Sequence, residues 1–260
     1  MTDFGIKDGN VGVMKGVIWG ISPNAQISDL SHTIQPQDVR EAALVLARSA
    51  PYFPEKSIHL VVVDPGVGTS RRPMAARIGA QYYVGPDNGI ITLLLEKAEQ
   101  AGEKTEFVDL NDPRYWLPEV SFVFHGRDIF APVAAHLSIG AALKSLGTPF
   151  ENPVRLEFPQ PEKTDGGWRG ELIHIDHFGN LSANIRSEHL GEALKTKEKI
   201  SVRMAGVEIR GLANTFGERP AGELIALIGS TGNLIVSVVN GSAFERLNAK
   251  PGDLVEVVLE

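Results

Sequence analysis

Residues 58–64 read Ile-His-Leu-Val-Val-Val-Asp and run directly into Pro65-Gly66-Val67-Gly68-Thr69-Ser70-Arg71-Arg72. No other stretch limits the fold so tightly. Three consecutive valines leave no face for water, so their strand must be covered on both sides, as in a sheet packed between helices. The strand then stops at a carboxylate. Glycines in the following turn let backbone approach a ligand closely, and Pro65 fixes the direction in which the chain leaves. Asp64 and the cation of Arg71 are thereby expected at the edge of a sheet, where α/β proteins bind ligands. His125, in Phe124-His125-Gly126-Arg127-Asp128, adds a base if the fold brings it close. The plain alternatives are a capping aspartate and a structural histidine; on local grounds both stand.

The surrounding pattern supports a layered fold. Residues 11–21 place Val11, Met14, Val17, Ile18 and Ile21 at helical spacing. A short strand is expected over 25–30, and a helix from Pro36-Gln37-Asp38 to about Ala50, with Pro51 beyond its end. A strand pair over 75–78 and 81–84 is broken by Gly85-Pro86-Asp87-Asn88-Gly89, which leads into a helix near Ile90. Strand character returns over 105–110 and helix over 129–146. Alternating strands and helices predict a mostly parallel α/β sandwich over residues 1–150. Residues 151–167 carry Pro153, Pro159 and Pro161 without periodicity and read as a linker. From 168 to 260 the pattern is short strands and turns (170–176, 181–185, 200–202, 224–228, 234–239 and 253–259), a smaller, mainly antiparallel, barrel-like β domain. Met1-Thr2-Asp3-Phe4-Gly5 looks like a strand end and turn with almost no strand ahead of it, either a stub or a chain whose natural start lies upstream.

Composition narrows the function classes. The 260 residues, 43% hydrophobic and 22% charged, suit a soluble globular protein with a sizeable core. A net charge of -7 without a basic cluster argues against nucleic acid as partner, and no run suggests a membrane span or signal peptide. The absence of cysteine excludes disulfides, zinc–thiolate centres and thiol catalysis, and is compatible with the cytoplasm. Gly66-Val67-Gly68 lacks both the Lys-Ser/Thr of a phosphate loop and the further glycine of a dinucleotide fingerprint. His174 and His177 would point to opposite faces of a strand, so no metal site is expected.

Other candidates are polar groups beside turns. Asp3 and Asp8 precede a helix and suit either hydroxyl or ammonium groups of a ligand or helix capping. Asp176 leads into Phe178-Gly179-Asn180, where an exposed ring and an amide could meet a flat heterocycle; an ordinary Gly-Asn turn is the alternative. Gly229-Ser230-Thr231-Gly232 and Asn240-Gly241-Ser242 are turns able to present hydroxyl and backbone groups. Arg127 and Asp128 read as a structural ion pair or helix-start cap.

These pieces occur together in a known order. The chain resembles the S-adenosyl-L-methionine hydroxide adenosyltransferases, relatives of the fluorinating and chlorinating enzymes. The resemblance is carried by Thr2-Asp3-Phe4-Gly5, Met14-Lys15-Gly16, Asp29-Leu30-Ser31-His32, Val62-Val63-Asp64-Pro65-Gly66-Val67-Gly68-Thr69 and Gly85-Pro86-Asp87-Asn88-Gly89. Phe124-His125-Gly126-Arg127-Asp128, Asp176-His177-Phe178-Gly179-Asn180 and Asn240-Gly241-Ser242-Ala243 complete it over nearly the whole chain. It implies that Asp64, Arg71 and His125 form a water-handling triad, a set the halogenating relatives lack. It assigns Asp3 to the ribose hydroxyls, Asp8 to the methionine end, and Asp176, Phe178 and Asn180 to the adenosine. Ser230 and Thr231 would hold the methionine carboxylate, and backbone near Val238 and Asn240 would read the adenine edge. It further implies hydrolysis of S-adenosyl-L-methionine without metal or redox cofactor, and homotrimers whose sites are shared between subunits. Halide transfer, or adenosine binding without turnover, are the alternatives.

Overall fold

Burial along the valine run alternates between two cores. The structure, a computed structural model, describes all 260 residues and divides into two units, Met1–Leu156 and Glu157–Glu260. In the first unit Val61 and Val63 join a core with Ala42, Leu46, Met74, Tyr83 and Leu95. Val62 joins the opposite core with Met14, Ile18, Ala75, Val84 and Phe130. Successive side chains of a strand point to opposite faces, so one sheet lies between two helical layers.

The helices are α1 (Asn10–Ile21), α2 (Val39–Ser49), α3 (Thr92–Gln100) and α4 (Ala131–Ser138). The strands are β1 (Ile58–Leu60), β2 (Pro73–Ile78), β3 (Gln81–Pro86), β4 (Thr105–Asp109) and β5 (Thr148–Phe150), in the order β1-β3-β2-β4-β5. The core residues place α1 and α4 on one face, α2 and α3 on the other.

The α/β sandwich is as expected, but its sheet is mixed. β1 and β3 run parallel; β2 pairs antiparallel with β3 and β4, and β4 with β5. The reason is local: Gly79 and Ala80 alone connect β2 to β3, and so short a link permits only a hairpin. Residues 25–30 form no ladder; there Thr2 N–H donates to Ser31 O instead. Thr2 also bridges Val62 in parallel, a single-residue pairing. Pro36 lies ahead of α2 rather than in its first turn, because Asp38 is the cap and accepts from Glu41 N–H. The helix expected over 129–146 is interrupted. It begins as a wide turn over Gly126–Phe130, continues as α4, and ends where Gly140 takes φ 100°.

The second unit is a β module of β6 (Glu162–Thr164), β7 (Gly167–Ile175), β8 (Leu181–Arg186), β9 (Ile200–Met204), β10 (Val207–Arg210), β11 (Leu212–Ala213), β12 (Leu224–Ile228), β13 (Asn233–Val238) and β14 (Leu254–Leu259). Short helices α5 (Ser187–Leu190) and α6 (Ala243–Leu247) complete it. Every pairing is antiparallel except β11 with β12. The path runs β10-β9-β14-β7-β8-β13-β12-β11. Ile209 and Leu212, from its two ends, share one core with Leu172, Val202, Val236 and Val255, so the sheet wraps around its own interior.

Candidate active site

Alternation carries one residue beyond Val63. Asp64 falls on the face of Val62, the side where Phe130 and the wide turn after His125 lie. Arg71 returns to it across the glycine turn. Its Nε donates to Asp64 Oδ1 at 3.0 Å, and its Nη2 donates to Asp64 Oδ2, a two-pronged ion pair. The Asp64 and Arg71 side chains are 4% and 7% exposed. Arg71 Nη2 also meets His125 Nδ1 at 3.2 Å, and the guanidinium carbon lies 5.4 Å from the centre of the Phe130 ring. Thus the structure joins the three residues expected to form a triad. Arg127 and Asp128 form the ion pair expected of them.

The contact with Arg71 settles the histidine tautomer. A guanidinium only donates, so Nδ1 accepts and the neutral ring carries its proton on Nε2. Burial, and then the charge of Arg71, push the imidazole below the ordinary histidine value, against the opposing pull of Asp64 and Asp128. His125 is therefore neutral near pH 7.

Gly68 makes the loop possible. It takes φ 76°, and a Cβ there would lie 2.3 Å from the Phe122 carbonyl oxygen. Only glycine brings residues 64–71 so close to the segment holding His125. The Phe4 ring meets Phe124 edge-on at 5.7 Å, bringing the Asp3 turn beside the same segment. Asp3 Oδ2 accepts from Gln37 N–H at 2.8 Å; Asp8 is exposed. Neither caps α1, whose N-cap is Gly9.

The second unit gathers a different set. Asp176 Oδ1 accepts from the backbone N–H of Phe178 and of Asn180, both at 2.9 Å, and Asp176 Oδ2 from Asn180 Nδ2 at 2.8 Å. Three bonds to one carboxylate tie the turn down and leave the Phe178 ring 72% exposed. Gly179 takes φ 77° with Ser242 where a Cβ would be, and its carbonyl accepts from Phe244 N–H at the start of α6. Val238, the last residue of β13, is bridged to Gly241, and Asn240 lies on the connection from β13 to α6. Ser237, which sequence reasoning missed, donates to Asn180 Oδ1. Ser230 and Thr231 are not part of this group. Pairing of Leu181 with Val236 and Arg186 with Asn233 puts their turn at the opposite end of β8 and β13, roughly 16 Å along the strands.

The first unit also contains a cavity of about 360 Å³ walled by Met1, Met14, Ile18, Ile27, Leu60 and Ala134. It includes none of Asp64, Arg71 and His125, and its walls are mainly apolar. The polar cluster at the strand end is thus separate from this cavity.

Comparison with known proteins identifies the family. The model of the SAM hydroxide adenosyltransferase N-terminal domain matches residues 1–147, and that of the C-terminal domain residues 170–256. The chain belongs to the SAM hydroxide adenosyltransferase family. The (R)-S-adenosyl-L-methionine hydrolase of Salinispora tropica is 40% identical over 262 residues, spanning 98% of this chain and 95% of that protein. Its namesake from Thermus thermophilus is 40% identical over 265 residues, spanning 97% and 95%. Fluorinases stand further off, at 29, 29 and 26% identity. A crystal structure of an uncharacterised conserved protein from Thermotoga maritima superposes with a TM-score of 0.90 at 38% identity, covering 99% of this chain and 98% of that one. Within this adenosyltransferase family, the chain stands nearer the hydrolases than the fluorinases by identity.

Proposed function

We propose that the protein hydrolyses S-adenosyl-L-methionine to adenosine and L-methionine by in-line attack of water on C5′, with Asp64, Arg71 and His125 handling the water. The observation that carries this reading is the buried two-pronged Asp64–Arg71 pair with His125 closed onto Arg71. The new bond is water oxygen to C5′; the bond lost is C5′ to sulfur. Methionine leaves as a neutral thioether, so the leaving group needs no proton and no Lewis acid, and the reaction as proposed uses neither metal nor redox cofactor. The one proton to be removed is the water's.

Asp64 is the residue to take or aim it. Both its oxygens accept from Arg71, yet each keeps a further lone pair able to accept from a water. His125 Nδ1 is engaged by Arg71, which suits holding the guanidinium better than removing a proton. Arg71 Nη1 is buried with no protein partner, a donor available to the oxygen of the attacking water. Holding water and carbon as a near-attack pair is worth effective molarities of about 10⁵ M or more, against about 10²–10⁴-fold for general-base assistance. Positioning dominates.

The proposal extends to the substrate contacts. Asp3 takes the ribose hydroxyls, Asp8 the methionine end, and Asp176, Phe178 and Asn180 the adenosine. Val238 and Asn240 offer backbone to the adenine edge, and Ser230 and Thr231, at the far end of β8 and β13, take the methionine carboxylate. A homotrimer whose sites join the first unit of one subunit to the second unit of a neighbour is part of the same proposal. A cytoplasmic enzyme is proposed with it; no helix is long and apolar enough to cross a membrane.

The test is incubation of pure protein with S-adenosyl-L-methionine, following adenosine by chromatography. No adenosine above a heat-killed control sinks the proposal. Formation of 5′-halo-adenosine in concentrated halide would move the chain to the halide transferases, and tight binding of an intact ligand would make it a binder only. Sedimentation analysis reads the trimer.

A further inference from the structure

The loop from Asp64 to Arg71 is held at both ends by two adjacent residues, Asp87 and Asn88. We infer that Asp87-Asn88 is a clamp that sets the aim of the Asp64–Arg71 pair, with Asn88 a positioning residue for the water-handling chemistry; this rests on the proposed function of that pair.

The ladder between β1 and β3 stops short of Asp64. Tyr82 N–H donates to Ser57 O at 2.9 Å, and Val61 N–H to Val84 O at 3.0 Å, the regular alternation of a parallel pair. Two residues on, the next donor of β3 would be residue 86, which is proline and has no N–H. The Pro86 carbonyl turns away to accept from the Tyr83 hydroxyl at 2.9 Å. Burial, and then Asp64 and Asp87, push the Tyr83 phenol well above its ordinary value, so it remains a donor. The ladder has ended, and Val63 O is left beyond it without a backbone donor from β3.

Asn88 Nδ2 supplies that donor, at 2.9 Å from Val63 O. Val63 is the residue before Asp64, so this bond sets the peptide plane from which the Asp64 side chain projects. At the other end, Asp87 N–H donates to Arg72 O at 2.9 Å, and Asp87 Oδ2 accepts from Arg72 Nε at 3.0 Å. Arg72 is the residue after Arg71. Asp87 Oδ1 in turn accepts from Val154 N–H at 2.7 Å, anchoring the dipeptide to the body of the unit. One dipeptide thus brackets the catalytic loop.

The energetics favour a positioning role for Asn88 over a stabilising one. Its Nδ2 satisfies Val63 O, but its own Oδ1 is buried with no protein partner. One bond made against one acceptor stranded leaves little net stability. What the amide provides is a fixed direction for Val63 O.

The test compares Asn88→Ala and Asn88→Asp with the wild type. Asn88→Asp keeps the shape but turns a carboxylate oxygen toward Val63 O, and so loses the donor. The expected result is a kcat lower by about 10–100-fold, the scale of a displacement near 1 Å, with KM within about threefold. The melting temperature of Asn88→Ala should stay within about 4 °C, while that of Asn88→Asp, which buries an unpaired carboxylate, should fall further. Crystal structures of wild type and Asn88→Ala, which need no substrate, should show β1 and β3 superposed while Asp64 and Arg71 shift or separate. An unchanged kcat with an unmoved pair overturns the clamp; so does a rise in KM at constant kcat, which would make Asn88 a ligand contact. A wild-type enzyme that forms no adenosine would refute the proposed function, and the crystal comparison would still decide the clamp.

Discussion

Removal of one partner from the Asp64–Arg71 pair tests whether its burial is what matters. Asp64→Asn keeps the outline but removes the counter-charge and turns an amide donor toward a guanidinium donor. With side chains 4% and 7% exposed, little water can compensate Arg71. Breaking a buried pair in this way costs about 3–5 kcal/mol. For a chain of this size, at about 2–4 °C per kcal/mol, the melting temperature should fall by about 6–20 °C. The double variant Asp64→Leu/Arg71→Met removes both charges and should recover most of that loss, since apolar replacement of a buried pair is often near neutral. Activity should not recover. Adenosine formation should fall by about 10³-fold or more in both variants, as positioning and proton acceptance vanish together. Calorimetry supplies the stabilities, chromatography the rates, and equilibrium dialysis the affinity for S-adenosyl-L-methionine, which should weaken less than about tenfold. A loss under about 1 kcal/mol for Asp64→Asn would refute the burial argument. Equal losses of turnover and binding would show Asp64 to be chiefly a ligand contact.

His125 should govern the acid limb of the rate profile: protonation at Nδ1 breaks its bond from Arg71, so kcat should fall as pH drops through its lowered pKa. Stability follows the same sign. The unfolded chain, with histidine near 6.5, takes up the proton first, so stability present above about pH 6.5 is lost as pH falls toward the lowered folded value, and levels off beneath it. His125→Asn, whose amide oxygen can stand where Nδ1 does, should keep more activity than His125→Gln; equal losses near 10⁴-fold would make the imidazole the base instead. Gly68→Ala meets the Phe122 carbonyl at a positive φ and should lower kcat about 10²-fold and stability by about 1–3 kcal/mol, read by kinetics and thermal melts; a silent substitution would mean the loop is not held there. Phe178→Ala removes an exposed ring, so the melting temperature should not move while KM rises by about 5–150-fold, the scale of losing a base-stacking partner; a stability loss with unchanged KM contradicts its role.

Much of this was legible in the chain because it depends on local pattern. The helical spacing of 11–21 and the strands that became β2, β3, β4 and most of the β module follow from residues near in sequence, whereas the strand expected over 58–64 is shorter, its ladder ending at Leu60 with a lone bridge at Val62. The resemblance named the triad, and geometry then showed its members in contact. What was not legible depended on partners. The parallel expectation gave way at the Gly79-Ala80 hairpin, the 25–30 strand found no ladder, and β10 and β11 were missed as short pieces at the ends of the sheet.

The valine run shows where the division lies. Three apolar residues, a carboxylate and a glycine turn determine by themselves that a doubly covered segment ends in a charge, because hydration and backbone sterics act locally. They do not say which arginine answers it. Arg71 and Arg72 are neighbours, yet Arg71 reaches Asp64 while Arg72 is drawn to Asp87 and stacks on Phe150. Only the tertiary structure separates them, because the choice rests on which carboxylate the sheet and the Asp87-Asn88 turn carry to each side of the loop. The nitrogen His125 turns to Arg71 is likewise a tertiary matter.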